Sequence, residues 1–66
     1  SNVHGLYNRA VCHATLGNLQ EAENDLMRAI AIAPSDGMLY DQRGKTLAAM
    51  GRTKKALKDF ATSLFL

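Results

Sequence analysis

Small and apolar residues recur along this chain at helical spacing. Leu6, Ala10, His13 and Gly17 fall at i, i+4, i+7 and i+11, one face of a helix. Gly17 predicts the end of that helix, because glycine takes the left-handed C′ conformation at least cost. Asn18 is placed to cap the next helix, with Glu21 three residues on to return the bond. Ala22, Leu26, Ala29 and Ile30 form the expected buried stripe of this second helix, and Pro34 stops it. Ser35 or Asp36 can cap a third helix, whose stripe is Tyr40, Gly44, Leu47 and Met50 before Gly51 ends it. Ala56, Phe60, Ser63 and Leu64 line a fourth. No stretch alternates with the period of a strand, so the pattern predicts an all-α fold of four helices.

The pattern also repeats. Laying residues 3–32 over 37–66 sets Arg9 on Arg43, Ala14 on Ala48, Gly17 on Gly51, Ala22 on Ala56 and Asp25 on Asp59, an offset of 34 residues. Conservative matches lie between them: Leu6 on Tyr40, Ala10 on Gly44, Leu26 on Phe60 and Ile30 on Leu64. A fixed period of this size marks stacked supersecondary units.

The period, the run Ala10, Gly17, Ala22, Leu26, Ala29 and Pro34, and its echo Gly44, Gly51, Ala56 and Phe60 resemble tetratricopeptide repeats. Small residues at these places have a physical reason, since two helices of one unit approach closely only where side chains are small. The resemblance implies two tandem helix-turn-helix hairpins, a solenoid fragment. One spans residues 3–36 and the other residues 37–66, which stop before a second Pro would appear. The family's usual Trp is replaced by Leu6 and Tyr40, its usual Tyr by His13 and Leu47, and its usual Leu by Arg9 and Arg43. Ser1 and Asn2 resemble the remnant of a protease-cleaved expression tag and receive no structural role in this reading; if they are such a remnant, an excerpt of a longer protein is one expectation and a complete chain the other.

Sixty-six residues make one small domain, and such a chain buries only about 60% of its unfolded surface. Its 47% hydrophobic content argues against disorder. A net charge of +2 is too weak to imply nucleic acid. The single Cys12 forms no internal disulfide, and a small chain without disulfides points to an intracellular, cytoplasmic protein. No apolar run approaches the roughly 18 residues of a membrane span.

Catalytic and metal chemistry find little to use, and neither a cofactor nor an enzymatic activity is expected. His4, Cys12 and His13 lack the ligand number and spacing of structural zinc. The glycines form no phosphate-cradling loop. Arg9 and Arg43 each precede a helix-packing residue, and Asp25 and Asp59 follow them at the same interval. A carboxylate bordering a buried stripe needs a partner. Structural Arg–Asp pairs, within one unit or between neighbours, are therefore expected. Arg52, Lys54, Lys55 and Lys58 crowd the start of the fourth helix, where positive charge opposes the helix dipole. That patch is compatible with a solvated face or, in a second reading, with an acidic protein partner or RNA, although no aromatic residues are interleaved.

The family resemblance implies a non-catalytic module that binds a protein or peptide in a concave groove lined by the first helix of each pair. Groove positions would be His4, Tyr7, Asn8, Val11 and Thr15, then Met38, Asp41, Gln42, Lys45 and Ala49. One branch of the family grips the C-terminal carboxylates of heat-shock chaperones with Lys and Asn, then Lys and Arg. Here Tyr7, Val11, Met38 and Gln42 stand instead and only Asn8 fits, so the resemblance does not extend to that grip. The alternative is self-association, as a dimer or with exchanged hairpins. Leu64, Phe65 and Leu66 form an apolar turn that calls for cover from another copy or from more of a repeat array.

Overall fold

The structure is a computed structural model that describes residues 2–66. Four helices run in order: α1 Val3–Thr15, α2 Leu19–Ile32, α3 Gly37–Ala49 and α4 Thr53–Phe65. The all-α fold expected from the periodicity is observed, in the two hairpins that the family resemblance implies. α1 packs on α2, α3 packs on α4, and α2 joins the two hairpins by packing on α3. α1 and α3 meet only marginally, so one open face runs along both. The result is a slab of 29 × 28 × 13 Å, about two helices thick. Among the described residues no helix is long and apolar enough to cross a membrane.

Both hairpin turns are built the same way. Gly17 and Gly51 have φ of 84° and 83°. Asn18 donates its N–H to the His13 carbonyl and Gly17 to that of Ala14, the paired bonds of a Schellman close. Arg52 and Gly51 repeat this with Leu47 and Ala48. Because the chain turns so tightly, Asn18 must begin α2 while it is still closing α1. Its ψ of 68° departs from the extended cap conformation, and its side chain makes no capping bond. The expected capping box of Asn18 and Glu21 is therefore absent. Arg52, at ψ 66°, is uncapped for the same reason.

The other two helix starts are extended and capped. Asp36 has ψ 102°, and its carboxylate accepts from the Met38 N–H at 3.1 Å. Asn2 has the same ψ, and its Oδ1 accepts from the Gly5 N–H at 3.1 Å. Asn2 thus has a capping role that the sequence reading withheld from it. Ser1 lies outside the described residues.

The core consists of Ala10, Ala22, Leu26, Ala29 and Leu39, with Val3, Leu6, Tyr7, Ala14, Ile30 and Ala33 packed around it. Burial of Leu26 and Leu39 contributes about 1.5–3 kcal/mol each. Helix α3 is covered on two sides, by α2 and α4, and buries more than its expected stripe. Leu39 and Thr46 are sealed in, and the Thr46 hydroxyl is satisfied by donating to the Gln42 carbonyl. Leu64 departs from its expected place in the buried stripe of α4. It is 87% exposed, because no helix covers α4 as α3 covers α2.

Candidate protein-binding groove

Val3, His4 and Tyr7 lie within about one turn of each other on α1, and Asp36, Met38 and Leu39 open α3. Together they line a cleft of about 290 Å³ between the two helices. Val3, Tyr7 and Leu39 belong to the packed core or lean on it, which makes the floor of the cleft firm and apolar. Met38 is 62% exposed at its rim. The Asp36 carboxylate, tethered to the Met38 amide, brings negative charge to the same rim.

Of the groove positions expected from sequence, this cleft gathers His4, Tyr7 and Met38. Val11, Asp41 and Gln42 are half-buried further along the same two helices, and Asn8 and Lys45 are exposed. Lys45 Nζ reaches the Asp41 carboxylate at 3.3 Å, so this pair is partly occupied with itself. Thr15 donates its hydroxyl to the Val11 carbonyl, and Ala49 is exposed. Val3, Asp36 and Leu39 complete the cleft and were not among the expected set. Val3 was legible, since it stands one turn before Tyr7 on the same face. Leu39 was not, because its equivalent in the first hairpin is Gly5, where no side chain marks the position.

Away from the groove, each hairpin holds a two-point Arg–Asp pair. Arg9 donates from Nε and a terminal nitrogen to Asp25 at 2.8 and 2.7 Å, and Arg43 does the same to Asp59 at 2.7 and 2.8 Å. Both pairs lie within a hairpin rather than between hairpins. These two-point contacts match the planar fork of Arg to a carboxylate. The Arg9 hydrogen bonds hold the Asp25 carboxyl below the usual aspartate range, against the opposing effect of its burial. Bonding to Asp59 raises Arg43 above the usual arginine value. The Arg43 guanidinium also lies 5.6 Å from the Tyr40 ring centroid, while the Tyr40 hydroxyl donates to the Pro34 carbonyl at 2.8 Å. Tyr40 thereby ties the loop before α3 to the pair that locks α3 to α4.

The remaining candidate chemistry stays dispersed. Cys12 is exposed, His4 lies in the cleft, and His13 Nε2 is 3.8 Å from Asp25. Lys54, Lys55 and Lys58 are exposed along α4, and Arg52 approaches Glu23 of α2 at 3.9 Å. Phe65 and Leu66 are exposed alongside Leu64.

Comparison with known proteins gives a match to the tetratricopeptide repeat family model over residues 4–36, the first hairpin with its loop. Curated proteins and solved structures give no match. That match covers half the chain, and four helices in two equivalent hairpins extend the same plan over the rest. The chain belongs to the tetratricopeptide repeat family.

Proposed function

We propose that the chain is a non-catalytic interaction module that binds an extended segment of a protein partner along the open face of α1 and α3. Tetratricopeptide repeats generally mediate contacts between proteins. The observation that carries the reading here is the cleft between the two helices: an apolar floor of Val3, Tyr7 and Leu39 with the Asp36 carboxylate at its rim. Such a site suits an apolar side chain followed or preceded by a basic one. Flexible Met38 can close over the inserted group. Beyond the cleft, Asn8, Gln42 and the Asp41–Lys45 pair offer polar contacts to the backbone and flanking residues of the ligand.

Selection from a displayed library of random peptides tests this. The reading expects enriched peptides to share an apolar residue beside Lys or Arg. It further expects Met38→Lys, a change at an exposed position that removes the apolar cover and repels the basic residue, to weaken their binding at least tenfold while leaving the helical fold intact. Absence of enrichment, or binding indifferent to Met38→Lys, overturns it.

A further inference from the structure

Helices α2 and α4 hold the same place in their hairpins but begin with opposite charge. α2 opens with Gln20, Glu21, Glu23 and Asn24, where negative charge suits the helix dipole. The equivalent positions of α4 carry Lys54, Lys55, Leu57 and Lys58, preceded by Arg52. Positive charge at that end works against the dipole. The hairpin does not require it, since the first hairpin follows the same plan without it.

Two of these lysines border a cleft whose walls and floor all belong to this chain. The backbones of α2 and α4 do not meet; both rest on α3, which leaves a channel of about 450 Å³ between them. Glu23 and Met27 of α2 form one wall, and Lys55 and Lys58 of α4 form the other. The floor comes from Tyr40, Arg43 and Leu47, on the side of α3 turned away from Met38, Gln42 and Lys45. The channel therefore shares no residue with the cleft between α1 and α3. α2 covers Arg43 here, and the Arg43 side chain is 24% exposed against 57% for Arg9.

Both carboxylates of the channel are already answered. Asp59 accepts the two-point bond from Arg43, and Glu23 lies 3.9 Å from Arg52. Lys55 and Lys58 are exposed, and among the described residues neither forms an ion pair. Beside these two unanswered cations lies an apolar seat, with Leu47 sealed in the floor and flexible Met27 exposed on the wall.

We infer that this channel is a second docking site, which takes an acidic segment of a protein partner. An apolar side chain of that segment seats on Met27 and Leu47, and the carboxylates beside it meet Lys55 and Lys58. Charge complementarity selects this occupant, because a neutral or basic segment leaves both lysines unanswered. Acidic groups at the start of α4 also offset its unfavourable charge. RNA fits less well, since unpaired bases are held by stacking on open rings. The Tyr40 ring already carries the Arg43 guanidinium, and its hydroxyl is tied to the Pro34 carbonyl. The cleft between α1 and α3 has the Asp36 carboxylate at its rim, so the two sites select segments of opposite charge.

Amide shifts of the 66-residue chain, followed as synthetic peptides are added, test the inference. One peptide places Leu between two pairs of Glu, and its analogue has Gly in place of the Leu. The Leu peptide is expected to shift Met27, Arg43, Lys55 and Lys58 and to leave Tyr7 and Met38 unmoved. Raising salt from about 50 mM to about 500 mM is expected to weaken it about tenfold. The Gly analogue is expected to bind about tenfold more weakly than the Leu peptide. Lys55→Glu combined with Lys58→Asn gives α4 the residues that the first hairpin has at Glu21 and Asn24. This variant is expected to keep its helices by far-UV circular dichroism and to lose the Leu peptide. Unchanged affinity in the variant, equal binding of the Gly analogue, shifts centred on Tyr7 and Met38, or no shift at about 1 mM peptide each overturns the inference. So does an oligouridylate that displaces the peptide at lower concentration, which would assign the lysines to RNA.

Discussion

A Cβ atom placed on Gly44 would lie 2.5 Å from Cε1 of Phe60, closer than real carbon atoms pack. Helices α3 and α4 approach over this point, and the equivalent pair in the first hairpin is Ala10 with Leu26. One hairpin thus uses a small residue facing a large ring, and the other distributes similar volume more evenly. Gly44→Ala gains about 1 kcal/mol of helix propensity and loses about 1–3 kcal/mol to overpacking. The clash wins, and a net loss of about 1 kcal/mol is expected, or roughly 4–8 °C in melting temperature for a domain of this size. Adding Phe60→Leu recreates the first hairpin's pair and is expected to recover most of that loss. Thermal unfolding of both variants checks this, and a Gly44→Ala protein more stable than wild type by the full propensity gain contradicts it.

The two Arg–Asp pairs share a geometry but differ in surroundings. Removing Arg43 strands Asp59, which is almost fully buried. Breaking a fully buried pair costs about 3–5 kcal/mol, and the partial exposure of Arg43 reduces this to about 2–3 kcal/mol for Arg43→Met. Removing Arg9 strands Asp25, but the Arg9 site is open to water and His13 stays nearby. Arg9→Met is therefore expected to destabilise less than Arg43→Met in urea unfolding. The reverse order would show that the α2 cover adds nothing to the second pair.

Acid should expose the Asp25 pair directly. Its carboxyl titrates lower in the folded chain than in the unfolded one, because Arg9 bonds the charged form. A depressed folded value means that its stabilising contribution is complete above the unfolded value of about 3.9 and drains away as pH falls through the folded value. Melting temperature followed from pH 6 downward is expected to fall more steeply below about pH 4 in wild type than in Asp25→Asn. Parallel curves would contradict this.

Helix number, both glycine stops and the proline stop were legible because each depends on local chemistry that a single residue imposes. Burial was legible only where one neighbour decides it. Ala22, Leu26 and Ala29 follow from periodicity, whereas Leu39 and Thr46 are buried because α3 is wedged between two helices, which no local spacing encodes. Asn18 shows the complementary failure. Its residue type suits a cap, but its backbone was already committed to closing the preceding helix. In the groove, Tyr7 and Met38 stand where helix order put them, and the Asp36 carboxylate entered through its capping role rather than through any binding pattern.

The central claim is that the open α1–α3 face is the binding surface. Amide chemical shifts of the isotope-labelled chain, followed while a selected peptide is added, test it most directly. The expected result is a set of perturbations concentrated on Tyr7, Val11, Met38 and Gln42, with α2 and the outer face of α4 unchanged. Perturbations centred on Lys54, Lys55 and Lys58, with Tyr7 and Met38 silent, would contradict it.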